Sequence, residues 1–303
     1  MALVFLVVAL VSQRAALGRA AARLSVGSLL LAELSVLGGL LASLMCWRAL
    51  LADLGSPLPA VAALRVFFLG QLGKYVPGSV WPVVAQMELG KEHGVPRARS
   101  GTVGLLTVAL TLVAGLLVAA VTLPFTSAHA LSTYGWFFLA VPLLGAVLLP
   151  VVFNPLLDRL LRLARRGGLS DPLTGGGLLR ALGWAVLTWV GFGLQVEVLA
   201  RALGHGGASL LPLTVGAFAL AWTVGFLVVV APAGAVVREA ALVIGLSPAL
   251  GRDEALLVAL ASRALMTVGD LLAAAVAVLL ARGSARPPAP GGAPRLPARD
   301  PAA

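Results

Sequence analysis

The sequence predicts an all-α, polytopic integral membrane protein, a helical bundle in which two segments are broken or re-entrant. Of the 303 residues, 60% are hydrophobic and 11% are charged, whereas a soluble domain has roughly 25% charged residues. The mean hydropathy is +1.01. Residues 101–123 and 210–231 contain no charged residue, and a helix of that length crosses the roughly 30 Å hydrocarbon core.

Further apolar segments follow one another along the chain. Residues 1–11 would rise only about 16 Å as a helix, so we expect the first helix to be truncated or to begin upstream. Ordinary spans are predicted at 26–47, 101–123, 134–153, 181–201, 210–231 and 258–281. Gly39 and Ser43, four residues apart in the first of these spans, suit close contact with another helix. Residues 282–303 are rich in Pro, Ala, Gly and Arg, which predicts a disordered tail after a transmembrane domain of residues 1–281.

The distribution of basic residues predicts an orientation. Two connectors, 90–100 and 154–177, are basic, whereas connectors 124–133 and 204–209 have only a histidine each. By the positive-inside rule the basic pair is cytoplasmic and the other pair external. The net charge of +10 therefore indicates membrane orientation rather than nucleic-acid binding.

Metal, disulfide and catalytic chemistry have no visible pattern. Cys46 is the single cysteine, and the three histidines, His93, His129 and His205, are scattered, which excludes a disulfide framework and a multi-cysteine metal site. The sequence has no phosphate-binding glycine loop and no nucleophile elbow. We therefore expect a protein without a cofactor that is not an enzyme.

Residues 58–89 do not fit an ordinary span. As one helix they would measure about 48 Å, too long for one crossing and too short for two. Pro77 and Pro82 remove backbone donors, and Gly78 adjoins the first. The segment is either a kinked span or two half-helices that meet at 75–78; a broken backbone at membrane depth has to line protein or a water-filled cavity.

Residues 232–250 form the second irregular segment. Pro232 and Gly234 interrupt the apolar pattern, and the adjacent charges Arg238 and Glu239 follow. These charges either lie at the interface or face an interior cavity, where ionisable groups are usually functional. Two discontinuous segments in the two halves of a chain indicate a transporter site.

Several other polar residues fall within apolar spans, namely Glu33, Gln195, Glu197, Arg263 and Asp270. The spacing of Arg263 and Asp270 places them on one helix face, two turns apart. Asp270 is expected to have its partner elsewhere, with Arg238 as a candidate. Glu33 either satisfies a hydrogen bond between helices or serves the site.

Two topologies remain open at this point. If both broken segments re-enter from the cytoplasm, the C-terminal tail is external; if both cross fully, it is cytoplasmic. The length of residues 58–89 favours hairpins, so we expect the first arrangement.

Residues 65–81 (RVFFLGQLGKYVPGSVW) resemble the lysylphosphatidylglycerol synthase transmembrane-region family, which includes the flippase half of the bacterial multiple-peptide-resistance proteins. A second family pattern, P-G-G-x-G-x-R-E, reads PAGAVVRE at residues 232–239. Ala233 and Val236 replace two of its glycines. The similarity covers nearly the whole chain, without a counterpart of the soluble synthase domain.

The resemblance implies that the chain moves a phospholipid or lipid-linked head group between the leaflets of the plasma membrane. Lys74 and Arg238 would bind an anionic phosphate head group, while Glu239 and Asp270 would tune those cations or meet a positive group. The candidate substrate-binding residues are Gln71, Lys74, Tyr75, Pro77, Gly78, Trp81, Glu197, Arg238, Glu239 and Asp270.

Two other functions fit the same sequence. One is a proton-coupled secondary transporter of a small anion, driven through Glu197 or Asp270. The other is a non-catalytic membrane subunit that positions an enzyme of envelope assembly.

Overall fold

All regular structure in the described part of the chain is helical. A computed structural model describes residues 22–76, 80–126, 140–147, 149–163, 172–227 and 236–284. Its helices are α1 (Val26–Asp53), α2 (Ala60–Gln71), α3 (Trp81–Lys91), α4 (Arg97–Thr122), α5 (Ala140–Val147), α6 (Pro150–Leu163), α7 (Gly175–Ala202), α8 (Leu210–Leu227), α9 (Val237–Leu250) and α10 (Arg252–Ser284). Single 3₁₀ turns cover Leu72–Tyr75 and Leu123–Thr126.

Five of the described helices, α1, α4, α7, α8 and α10, are long and apolar enough to cross a membrane. They coincide with five of the predicted spans, which confirms the all-α polytopic fold. The predicted span 134–153 lies partly outside the described residues, and its described part belongs to two helices, α5 and α6. The last helix runs to Ser284, three residues into the predicted tail; the rest of that tail lies outside the described residues.

The centre of the bundle is the antiparallel pair α1 and α7. Its close approach depends on glycines: an ideal Cβ at Gly191 would lie 2.8 Å from the Cα of Gly39, and one at Gly39 would lie 2.6 Å from the Phe192 ring. Small residues allow helix backbones to approach in this way where the membrane provides no hydrophobic driving force. The predicted contact role of Gly39 is confirmed.

The N-terminus of α7 is held by the C-terminus of α1. The Asp53 carboxylate accepts hydrogen bonds from the Thr174 amide at 2.8 Å and from the Thr174 hydroxyl at 2.7 Å. The Thr174 hydroxyl oxygen in turn accepts the Gly177 amide at 3.0 Å and caps the helix. A carboxylate at this position also meets the positive end of the helix dipole.

Contacts of this kind between helices define the two ends of the bundle. At the Asp53 end, defined by Asp53, Ser56, Arg99 and Thr174, Arg99 donates to the Ser56 hydroxyl at 2.8 Å. The basic connectors 90–100 and 154–177 therefore meet at one end, as their charge predicts.

At the opposite end, defined by Arg23, His205 and Glu254, the Glu254 carboxylate contacts Arg23 at 2.6 Å and His205 at 2.5 Å. This His205 end contains the connector 204–209, which has no Lys or Arg. The assignment of the Asp53 end to the cytoplasm remains a prediction.

Helices α2 and α3 form a short antiparallel hairpin that opens at the Asp53 end. An ideal Cβ at Gly70 would lie 2.5 Å from the Gln86 side chain, and one at Gly73 would lie 2.8 Å from the Pro82 nitrogen. Helix α2 has 12 residues and α3 has 11, so each rises less than about 20 Å. The described part of this segment is therefore two short antiparallel helices and not one kinked span; their position as half-helices inside the membrane stays a prediction.

Helices α8 and α9 form a second antiparallel hairpin. An ideal Cβ at Gly225 would lie 2.9 Å from the Arg238 Cβ, and one at Gly245 would lie 3.1 Å from the Ala217 Cβ. Because α8 begins beside His205 and α9 ends before Glu254, this hairpin opens at the His205 end.

The expectation that both segments open at the cytoplasmic end is therefore wrong. The hairpins open at opposite ends, and α10 finishes at the Asp53 end. The distribution of basic residues does not determine the direction of each helix, which is decided by how the helices pack.

Candidate functional site

The charged residues of both hairpins lie against one face of α10. Arg263, Thr267 and Asp270 occupy positions i, i+4 and i+7 of this helix, which places them on a single face. The 3₁₀ turn of the first hairpin contacts this face near Asp270, and the N-terminus of α9 contacts it near Arg263. The prediction that Arg263 and Asp270 share a face is correct.

Asp270 is paired with the tip of the first hairpin. Its Oδ2 lies 2.6 Å from the Lys74 Nζ and accepts a hydrogen bond of 2.6 Å from the Tyr75 hydroxyl. Asp270 is 2% exposed, whereas the Lys74 side chain is 31% exposed. The predicted partner, Arg238, is incorrect. The 3₁₀ turn after α2 places Lys74 beside this carboxylate, and Arg238 is paired with Glu239.

The tip of the second hairpin is held by a separate ion-pair cluster. Glu239 Oε1 lies 2.9 Å from Arg238 Nη2 and 3.1 Å from Arg263 Nη1. Glu239 Oε2 accepts the Val236 amide at 2.6 Å, which caps the start of α9. The Arg238 guanidinium also lies 5.9 Å from the centre of the Phe218 ring, a cation–π distance.

Val236 adopts a backbone conformation that suits glycine. Its φ is +74°, in the region that residues with a Cβ rarely adopt. This is one of the two positions where the family pattern has glycine and this chain does not. The Glu239 cap and the packing of Arg238 beside Gly225 hold the backbone in this conformation.

Together the two clusters hold three cations and two carboxylates. The cations are Lys74, Arg238 and Arg263; the carboxylates are Asp270 and Glu239. The arrangement therefore carries one excess positive charge in an apolar setting, which favours an anion.

Exposure separates the three cations into two kinds. The side chains of Lys74 and Arg263 are 31% and 30% exposed, and that of Arg238 is 10% exposed. Arg238 is thus mainly a partner of Glu239, while the other two are placed to reach a ligand. Arg263 was not among the predicted site residues, although its spacing from Asp270 was a signal for it.

The remaining predicted site residues are placed differently. Trp81 begins α3, and Gln71 ends α2 beside the 3₁₀ turn. Glu197 is paired with Arg201 within α7 at 2.6 Å and so belongs to neither cluster. Pro77 and Gly78, like Pro232 and Gly234 of the second motif, lie outside the described residues.

Glu33 of α1 is buried close to the same face of α10. An ideal Cβ at Gly269 would lie 3.0 Å from the Glu33 Oε1, and Gly269 adjoins Asp270 in sequence. Among the described residues neither Glu33 oxygen has a hydrogen-bond partner. The described part of the chain therefore shows no donor from another helix to this carboxyl.

The fold and this arrangement define a polytopic α-helical membrane protein with a charged centre built from two helical hairpins and one long helix. The family model described as Lysylphosphatidylglycerol synthase TM region matches residues 1–274 of the 303. The chain belongs to this family, and a lipid-related role in a membrane follows from that membership. The comparisons with curated proteins and with solved structures found no match.

Proposed function

We propose that this chain translocates a phospholipid or lipid-linked head group between the leaflets of the plasma membrane and that it is not an enzyme. The observation that carries the proposal is the meeting of two oppositely directed hairpins at one charged face of α10. The first hairpin would be re-entrant, and α8, although long enough to cross, would turn back into α9 at membrane depth, so that both polar tips lie inside the membrane. Both tips would then contact a head group that moves past α10.

The dimensions of α10 support a site at membrane depth. Asp270 follows Arg252, the first residue of α10, by 18 positions, or about 27 Å of helix, and roughly 20 Å of helix remains to Ser284. Broken helices at the midplane are where transporters bind their substrates, because the interrupted backbone and the side chains there are sheltered from lipid.

The charge of the site supports an anionic head group. A phosphate diester would meet Lys74 and Arg263, the two accessible cations, while Asp270 and Glu239 keep these side chains in place. Guanidinium and ammonium groups bind phosphate oxygens through charge-assisted hydrogen bonds. Arg238 would act behind Glu239 as a positioning residue.

A leaflet-specific assay in vesicles tests the proposal. Purified protein is reconstituted with a fluorescent anionic phospholipid, and the fraction reached by a membrane-impermeant quencher is followed. We expect transport by wild type and by the surface controls Arg97→Ala and Lys91→Ala, and at least a tenfold slower rate for Lys74→Ala and Arg263→Ala.

Two outcomes would contradict the proposal. Equal transport by all variants would remove the two cations from the mechanism. Saturable uptake of a water-soluble organic phosphate, with no lipid movement, would favour the small-anion transporter instead.

A further inference from the structure

The Glu33 carboxyl is buried in the described structure without the partners that an ionised carboxylate requires. It is 9% exposed, and among the described residues neither of its carboxyl oxygens has a donor. Leaving an ionised carboxylate without a partner in an apolar bundle costs several kcal/mol, and such groups take up a proton instead.

One carboxylate oxygen of Asp270 also lacks a hydrogen-bond partner among the described residues. Its Oδ2 accepts from Lys74 and Tyr75, but its Oδ1 is buried without a partner in the described part of the chain. The Glu33 carboxyl lies beside Gly269, next to Asp270 in sequence. Two buried carboxylates on neighbouring stretches of α1 and α10 repel each other, and a proton on one of them removes that repulsion.

We infer that Glu33 and Asp270 form a proton-binding site in which Glu33 holds the proton while Asp270 stays ionised against Lys74. This asymmetry follows from their partners. Asp270 faces an ammonium at 2.6 Å and a hydroxyl donor at 2.6 Å, whereas Glu33 faces neither.

The other charged groups on the helices packed against α1 either have partners or lie near a helix end, as do Arg180 of α7 and Arg252, Asp253 and Arg282 of α10. On α10, Arg263 is paired with Glu239; on α7, Glu197 is paired with Arg201; on α2, Arg65 is paired with Glu92. On α4 the charged residues, Arg97 and Arg99, lie in its first turn at the Asp53 end. None of these groups is a described partner of Glu33.

The proton also sets the charge of the centre. With Glu33 neutral, three cations face two carboxylates and the excess positive charge remains. If Glu33 releases its proton, a third carboxylate cancels that excess. Binding of an anionic head group and retention of the proton are thereby linked, a step that rests on the proposed function, whereas the proton site itself does not.

Infrared spectroscopy of the purified wild-type protein tests the site directly, because protonated and ionised carboxyls absorb at different frequencies. At neutral pH we expect a protonated-carboxyl band that is absent from Glu33→Gln. Glu88→Gln, which removes an exposed carboxylate paired with Arg97, should keep the band. The Gln side chain has the size and neutrality of the protonated acid, so Glu33→Gln should fold and melt like wild type.

Loss of the band in Glu88→Gln, or its presence unchanged in Glu33→Gln, would overturn the inference. Should Glu33→Gln not fold, Glu33→Asp provides the second reading: a shifted band supports the assignment and an unshifted band refutes it. Since no lipid enters this measurement, failure of lipid transport would leave the result standing.

The coupling is tested separately in the vesicle assay. Transport of the anionic lipid by wild type should fall as the pH rises, while transport by Glu33→Gln should not depend on pH over the same range. A parallel pH dependence in both proteins would disprove the link between Glu33 and the anion.

Discussion

The Lys74 ammonium lies 2.6 Å from the Asp270 carboxylate and connects the tip of the first hairpin to the middle of the last helix. This ion pair fixes where the 3₁₀ turn ends and which face of α10 it covers. The Tyr75 hydroxyl reinforces it on the same oxygen. The pair is therefore both a structural clamp and one wall of the charged centre.

The first prediction concerns this pair. Lys74→Met and Asp270→Asn should each destabilise the protein by about 1–3 kcal/mol, less than a fully buried pair because Lys74 is partly exposed. The double variant should be more stable than the sum of the two effects implies, since it leaves no unpaired charge. Thermal unfolding in detergent measures all three. The exposed pair Glu88 and Arg97 is the control, and a coupling there as large as that of Lys74 and Asp270 would contradict the assignment.

The second prediction concerns the backbone of Val236. Val236→Gly should stabilise the protein by roughly 1 kcal/mol, because relief of the positive φ outweighs the entropy that glycine adds to the unfolded chain. Ala241→Gly, inside α9, should instead cost about 1 kcal/mol. Melting temperatures of the two variants give the comparison, and destabilisation by both would show that Val236 is unstrained.

The third prediction concerns the contact between α1 and α7 at the Asp53 end. A Cβ at Gly177 would overlap the Asp53 carboxyl, whereas one at Gly176 would meet nothing within 4 Å. Gly177→Ala should therefore cost about 1–3 kcal/mol, and Gly176→Ala should be neutral or slightly stabilising. Denaturant or thermal unfolding distinguishes them. Equal behaviour of these neighbours would refute the close contact between Asp53 and the start of α7.

The fourth prediction concerns helix packing at the centre of α7. Gly191→Ala places a methyl group 2.8 Å from the α1 backbone at Gly39, and backbone cannot move aside as a side chain can. We expect a loss of about 1–3 kcal/mol. Gly183→Ala, which has open space on the same helix, should raise stability by up to about 1 kcal/mol. If both substitutions stabilise the protein, the close approach of α1 and α7 is not required.

The fifth prediction concerns orientation. In a Cys46→Ala background, Ser209→Cys lies at the His205 end, where Ser209 is exposed, and Gly283→Cys lies near the Asp53 end. A membrane-impermeant thiol reagent applied to intact cells should label Ser209→Cys and should reach Gly283→Cys only after permeabilisation. Labelling of both variants in intact cells would show that the two ends of α10 are not on opposite sides.

Much of the architecture follows from local patterns. Five of the predicted spans are present because long uncharged runs have few other stable solutions in this composition. The break in residues 58–89 was also predictable, since its length and its prolines do not fit a single crossing. The residues at the break, Lys74 and Tyr75, were identified by their place in the motif.

The pairing of charges could not be read from spacing alone. The sequence predicts a contact between Asp270 and Arg238, but Asp270 is paired with Lys74, and Arg238 is paired with its neighbour Glu239. The spacing of Arg263 from Asp270 indicates a shared helix face, but the sequence does not identify a partner for Arg263. Glu33 looked like an isolated carboxyl in an apolar run, and its position beside Asp270 depends on the packing of α1 against α10.

By itself the sequence determined that this protein is a helical membrane bundle, where its helices break and which family it resembles, because hydropathy, proline and glycine act locally along the chain. Tertiary structure alone decided that the two hairpins open at opposite ends and that Lys74, Glu239 and Glu33 lie against the face of α10 that carries Arg263 and Asp270. Those relationships depend on helix direction and on close contacts at glycines such as Gly39, Gly73 and Gly225, which bring together side chains that are distant in sequence.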